Sequence, residues 1–363
     1  MNTKLSEPQA TPNISINYYG YLTPFGGYGI SNFNWIKHLQ RQGVKVYPHG
    51  KFTPQKGTKE WDILDEEERT IASIPFRKER IGLIETTPFD FGLNESEIKV
   101  GMTMAENNKI GGVWVDACNG MDYLVLPNDF QKKVFESSGV TTPIKVIRFG
   151  TETEKFPYFE RKTPDIFTFG IVGYLDKRKG VFDVLRAFAS EFDRSEPVRL
   201  VMKSSNPDFG FYSQFDHNII TINKLYDFKQ LNELYQSFDC FVFPSKAEGV
   251  GQPPREAMAT GLPCILGNYS GLEEICNPEY TYPINPNGFS PRDGWIEQPG
   301  DWADYDIQEL MYWMRYVYEH QEAAKEKGKK AASWIREEHS WEKAAREMIL
   351  FLTEINATHP KEI

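Results

Sequence analysis

The most constraining feature of this 363-residue chain is an alternation of short apolar runs with longer amphipathic stretches, repeated in two successive series. Such alternation is the mark of parallel sheets covered by helices. In the first series the expected strands are Ile14 to Tyr19, Val44 to Tyr47, Ile81 to Ile84, Tyr123 to Leu126 and Ile144 to Ile147. Ile30, Phe33, Ile36 and Leu39 recur every three residues and predict a helix closing at Gly43. The stretch Gly150 to Asp165 carries Pro157 and Pro164 with little periodicity, and reads as an interdomain linker. The second series predicts strands at Phe167 to Val172, Val198 to Met202, Ile219 to Ile222 and Cys240 to Phe243, with helices at Val181 to Ser190 and Asp227 to Ser237. Two open α/β sheets in tandem create a cleft between domains, where ligands of such folds sit.

Composition narrows the class. Hydrophobic residues at 40% and charged residues at 25% are ordinary for a globular chain, which excludes disordered and fibrous proteins. No apolar run approaches the ~18 residues of a membrane helix. Met1 to Pro12 is polar and shows no secretory leader. Cys118, Cys240, Cys264 and Cys276 are scattered without a Cys-x-x-Cys pair, against zinc ribbons and dithiol redox sites. A reduced cytoplasmic setting is expected, with peripheral attachment at a membrane left open. Net charge is -10, and residues 1–158 hold 18 Lys and Arg against 19 Asp and Glu, so the back half carries nearly all the excess. That half is unsuited to wrapping a phosphate backbone. The chain has neither a Gly-x4-Gly-Lys-[Ser/Thr] loop nor a full Gly-x-Gly-x-x-Gly after a strand, which argues against an NTPase and a NAD enzyme.

The strongest chemical signal runs from Phe241 to Pro263: a strand, a loop carrying Glu248, Gly249, Val250 and Gly251, then a short helix with Pro253 and Pro254 at its start and Gly261 and Pro263 at its end. Glycines there let backbone N–H groups approach an anion at a helix N-terminus. Glu248 and Glu256 can address different hydroxyls of one sugar nucleotide. Asp304-Tyr305-Asp306 has a spacing some transferases use for Mg²⁺, but Asp306 with Glu309 reads as a capping box, so no metal is expected.

In this segment the chain resembles the retaining glycosyltransferases of family GT4, whose Glu-x7-Glu motif matches Glu248 and Glu256. The resemblance implies the GT-B fold: two Rossmann-like α/β domains facing each other across a cleft. The expected layout is an acceptor domain over 13–158, a nucleotide-sugar domain over 159–340, and a helix over 341–357 crossing back. Phe25-Gly26-Gly27-Tyr28-Gly29 matches the family's glycine-rich loop beside the donor phosphates. Gly173 to Gly180 matches its phosphate loop, with Lys179 on the phosphate-binding lysine and Arg178 beside it. Ser340-Trp341-Glu342 opens the last helix. Two departures stand out. Tyr174 occupies the position of a family arginine, so another cation should compensate, for which Lys203 at a strand's carboxyl end is the candidate. The histidine many members place near the donor sugar has no counterpart, and Glu85, Thr86 or Glu106 are the acceptor-side candidates for its place. If Asp227 and Gln230 cap a helix, Asn223 to Tyr226, Leu225 included, form a turn whose backbone can read a nucleobase.

The resemblance implies metal-independent transfer, with retention, of a sugar from a nucleoside diphosphate sugar, UDP- or GDP-linked, with no cofactor beyond that substrate. Lys179, Glu248 and Lys203 would be the catalytic residues. The acceptor is open among a glycan, a lipid-linked sugar, a protein and a modified nucleic-acid base. Two alternatives stand beside this reading: a nucleotide-sugar-binding protein without turnover, and a sugar-nucleotide 2-epimerase or hydrolase of the same fold.

Overall fold

The computed structural model describes residues 14–206, 218–292 and 299–359. The polar start, Met1 to Pro12, lies outside them. In the first half the elements run β1 (Ser15–Tyr21), α1 (Gly26–Arg41), β2 (Lys45–Phe52), α2 (Lys59–Ile63), α3 (Glu66–Ala72), β3 (Ile81–Glu85), β4 (Ile98–Met102), α4 (Gly112–Asn119), β5 (Tyr123–Leu126), α5 (Asp129–Ser138) and β6 (Ile144–Val146). The six strands form one parallel sheet in the order β2-β1-β3-β4-β5-β6. β4, Ile-Lys-Val-Gly-Met, was not legible as an apolar run because Lys99 and Gly101 interrupt it.

The second half contains β7 (Phe167–Gly173), α6 (Val181–Glu191), β8 (Val198–Ser204), β9 (Ile219–Asn223), α7 (Phe228–Gln236), β10 (Cys240–Phe243), α8 (Gln252–Ala259), β11 (Cys264–Gly267), β12 (Tyr282–Ile284), β13 (Pro286–Pro291), β14 (Asp301–Tyr305), α9 (Ile307–Glu319), α10 (Gln321–Glu338) and α11 (Trp341–Thr358). Its sheet is also parallel and six-stranded, ordered β12-β11-β10-β7-β8-β9, while β13 and β14 pair separately as an antiparallel ribbon. Phe169, Ile171, Leu200, Met202, Phe241 and Phe243 are buried on these strands and knit the sheet to its helices. Runs this short and this apolar are stable as strands only because helices cover both faces.

α11 belongs by contact to the first half. Trp341, Ala345, Met348, Leu352 and Ile355 join the core made by β1, β3 and α1, and the Trp341 ring meets Trp35 edge-on with centroids 5.1 Å apart. Ser340 caps α11, its Oγ accepting from Lys343 N at 3.3 Å. The chain therefore crosses between the halves twice. At the crossing Thr151 N donates to His339 O at 2.8 Å, and Thr151 bridges to Ser340.

The caps behave largely as their residues suggest. Asp227 and Gln230 form a reciprocal capping box at α7. Asp306 caps α9 differently from the expected box: its Oδ1 accepts from Gln308 N at 2.9 Å, without a reciprocal bond from Glu309. Asp304 turns to Lys246 at 3.4 Å. The two aspartates of the Asp-x-Asp spacing are thus spent on a helix cap and an ion pair. Among the described residues, no group of three His, Cys, Asp or Glu could hold a metal ion, and no helix is long and apolar enough to cross a membrane.

Candidate active site

In the second sheet the chain leaves β7 toward β8 and β9 on one side, and β10 toward β11 and β12 on the other. Between β7 and β10 the order reverses, which opens a crevice at the carboxyl ends of the strands. The loops that flank it are Gly173 to Gly180, leading into α6, and Pro244 to Gly251, leading into α8. The first sheet reverses between β1 and β3, where Gly26 and Glu85 stand.

Glu248 is the centre of the crevice. Its Oε1 lies 2.5 Å from Lys179 Nζ and 3.2 Å from Arg178 Nη1, and accepts from Ser245 Oγ at 2.6 Å. Its own N–H donates to Ser270 Oγ at 2.7 Å, and Gly271 N donates back to its carbonyl at 2.9 Å. Ser270 holds this position in a left-handed conformation, φ 59°, which costs on the order of 1 kcal/mol for a non-glycine residue. Burial alone would raise the Glu248 carboxyl, but Lys179 and Arg178 outweigh it and hold the group below its ordinary value. Arg178 is tied down twice more, donating to Ala247 O at 2.6 Å and pairing with Glu106 at 3.1 Å.

The loop after Glu248 is shaped by its glycines. A Cβ on Gly249 would stand 2.6 Å from the Met104 side chain of the first half and push it aside, and Asn128 Nδ2 donates across the same gap to Gly249 O at 3.0 Å. Gly251 precedes α8 with φ 77°, a left-handed N-cap that lets the chain turn directly into the helix. Val250 is buried against the first-half core.

Glu256 sits in the first turns of α8, accepting from Tyr235 Oη at 2.8 Å. Burial pushes its carboxyl up to about 7, with Tyr235 and Lys203 pulling the other way and Glu152 adding to the rise. Lys203, at the end of β8, lies in the field of Glu256 and 5.5 Å from the centre of the Tyr226 ring, and burial lowers its ammonium. Lys203, the expected stand-in for the family arginine, thus lies within the field of the second glutamate. Between its ordinary value of 4.5 and about 7, Glu256 keeps a proton in the folded chain that it loses in the unfolded one. Its contribution to stability is full below 4.5 and disappears as pH rises through about 7. Glu256→Gln should flatten the fall in unfolding free energy between about pH 5 and 8 by on the order of 2 kcal/mol, as read from urea titrations at each pH. A parallel pH slope in both proteins would contradict this environment for Glu256.

The remaining sequence candidates are spread more widely. A Cβ on Gly26 or Gly27 would meet no atom within 4 Å, so the start of α1 faces open space. Glu85 is completely buried, with Tyr18 donating to its Oε2 at 2.8 Å, and burial pushes its carboxyl up to about 8. It is enclosed in the first half, as is Thr86, whose Oγ1 donates to Thr87 O at 2.9 Å. Of the three acceptor-side candidates only Glu106 meets the Glu248 cluster. Asn223 and Leu225 are exposed at the carboxyl end of β9 and its turn. Tyr174 is 55% exposed. A cavity of about 470 Å³ lies between the halves near their crossing, lined by Asn128, Arg148, Glu273, Glu338 and others, and reaches the Glu248 loop through Ser270. Ser270 and Asn128 were missed by sequence reasoning because both lie outside the motif. Ser245 lies inside the Phe241–Pro263 segment, where its hydroxyl had no assigned role.

Residues 151–334 match the family model described as glycosyl transferases group 1. The chain belongs to this family. Within the group, residues of this glycosyl transferases group 1 chain are 24% identical over 186 positions to the capsular polysaccharide biosynthesis glycosyltransferase CapM of Staphylococcus aureus, covering 46% of the chain and 49% of CapM. Identity reaches 30% over 129 positions with the uncharacterized glycosyltransferase MJ1607 of Methanocaldococcus jannaschii, a third of each chain (33% and 33%). The chain thus spans half or less of the length of these curated relatives. Among solved structures, sucrose-phosphate synthase from Thermosynechococcus elongatus superposes with a TM-score of 0.72 at 15% identity, over 96% of this chain and 100% of that one. Anabaena Alr3699/HepE in complex with UDP and glucose gives 0.66 at 13% identity, over 94% and 100%. These likenesses establish the two-domain GT-B fold.

Proposed function

We propose that the protein is a retaining glycosyltransferase that moves a sugar from a nucleoside diphosphate sugar to an acceptor hydroxyl without a metal ion. The observation that carries this reading is the Glu248 carboxylate, fixed by Lys179, Arg178 and Ser245 at the strand-order reversal of the second domain, in a chain of this family. The donor diphosphate lies along the Gly173–Gly180 loop, with Glu248 toward the sugar and Glu256 toward the ribose. The acceptor oxygen bonds to the anomeric carbon on the face from which the nucleotide leaves. The bond from that carbon to the β-phosphate oxygen breaks, and this oxygen takes the acceptor proton. Lys179 and Arg178 stabilise the charge that develops there, in a crevice from which closure expels water. A structural relative solved with UDP-glucose supports a uridine nucleotide as the first donor to try.

Calorimetric titration with UDP, GDP, ADP and their glucose or mannose conjugates, all with EDTA present, tests the donor side. Micromolar binding of one nucleotide is expected, and proton NMR of the product should show the donor's anomeric configuration. Absence of binding across the panel, or an inverted product, would overturn the reading.

A further inference from the structure

Arg178 spans the two domains. Its Nη1 lies 3.2 Å from Glu248 Oε1 in the second domain, while its Nη2 lies 3.1 Å from Glu106 Oε1 in the segment after β4 of the first. With Lys179 on Glu248, the cluster holds two cations and two carboxylates, a formal sum of zero. A diphosphate entering such a cluster brings negative charge that must be matched, and each cation already has an anionic partner.

The two carboxylates are not equally replaceable. The Glu248 side chain is 7% exposed, and Ser245, Ser270 and Gly271 fix its carboxylate and its backbone from several directions. The Glu106 side chain is 32% exposed and approaches Arg178 from the facing domain. With one oxygen in contact and partial access to water, Glu106 offers Arg178 a single, partly screened ion pair. A diphosphate offers the guanidinium more charge and two oxygens in matching geometry.

We propose that Glu106 is a displaceable counter-ion, a competitor of the donor diphosphate for Arg178. Without donor it holds the guanidinium across the gap between the domains; with donor, a phosphate oxygen takes its place, and Arg178 becomes the second cation at the leaving group. This rests on the nucleotide-sugar reading and assigns to Arg178 and Glu106 the opposed roles within it. The exchange keeps Arg178 compensated in both states, so the guanidinium is preorganised for phosphate before phosphate arrives.

The test compares wild type, Glu106→Gln, Arg178→Ala and the double variant by calorimetry with UDP, GDP and ADP and with the corresponding nucleosides. For whichever diphosphate the wild type binds, Glu106→Gln should tighten binding by about 3- to 10-fold while leaving the nucleoside unchanged. Arg178→Ala should weaken the diphosphate about tenfold or more, and adding Glu106→Gln to it should give no gain. The gain in Glu106→Gln should shrink as salt rises toward 1 M. Unchanged or weaker diphosphate binding in Glu106→Gln, or an equal gain in the Arg178→Ala background, would overturn the competition while leaving the transferase reading intact. Failure of the wild type to bind any diphosphate would instead remove the reading on which it rests.

Discussion

In a Lys179→Ala variant, turnover of the donor should fall by about 10²–10³-fold, while affinity for the bare nucleoside stays within about twofold. The reason lies in where the ammonium is held. The Lys179 side chain is 9% exposed, its Nζ rests 2.5 Å from Glu248 and 5.3 Å from the centre of the Phe243 ring, and its backbone N–H is anchored to Asp176 Oδ1 at 3.1 Å. A cation fixed in a poorly hydrated crevice needs no reorganisation when a phosphate oxygen gains charge, so its effect is expressed in the transition state more than in the bound donor. The nucleoside lacks the phosphates and should not register the change. Steady-state kinetics together with nucleoside titration separates the two. Equal, negligible effects on both would remove Lys179 from the site.

The second large effect concerns stability. Glu248→Ala leaves Lys179 and Arg178 side by side without the carboxylate that joins them, and a buried ion pair broken from one side typically costs about 3–5 kcal/mol. Urea unfolding should show that loss near pH 7. The carboxyl is held below its ordinary 4.5, so its contribution is present above that value and declines as pH falls through the folded one. The gap between wild type and variant should therefore narrow in acid. Added nucleoside diphosphate should raise the variant's melting temperature more than the wild type's, since it supplies the missing anion. A variant as stable as the wild type at pH 7 would show that hydration, and not Glu248, compensates the two cations.

Much of the fold was legible because parallel strands read as short, mainly apolar runs: Phe167 to Val172 and Cys240 to Phe243 lie within the buried strands β7 and β10, and Ile219 to Ile222 within the half-exposed edge strand β9. What escaped is what lacks that signature. β13 and β14 are half-exposed, with prolines and aspartates in place of an apolar run, so they pair through backbone hydrogen bonds without a core-forming pattern. The site divides on similar lines. Glu248 and its glycines announce themselves by spacing, whereas Ser270 acts through a left-handed backbone that no side-chain pattern encodes. A lysine ending a strand, Lys203, is easy to place at a sheet edge, but which carboxylate it faces depends on α7 and α8, and there it answers to Glu256. Arg178 sat beside Lys179 in the sequence. Only the fold shows that adjacent residues of one turn converge on the same oxygen.

The two passages of chain between the domains lie side by side and are laced to each other through Thr151, His339 and Ser340. A pair of threads stitched at one place acts as the spine of a book. A rotation of one cover about that line would change the gap most at the edge farthest from it. Arg178 joins the covers a second time, with one ion pair to each.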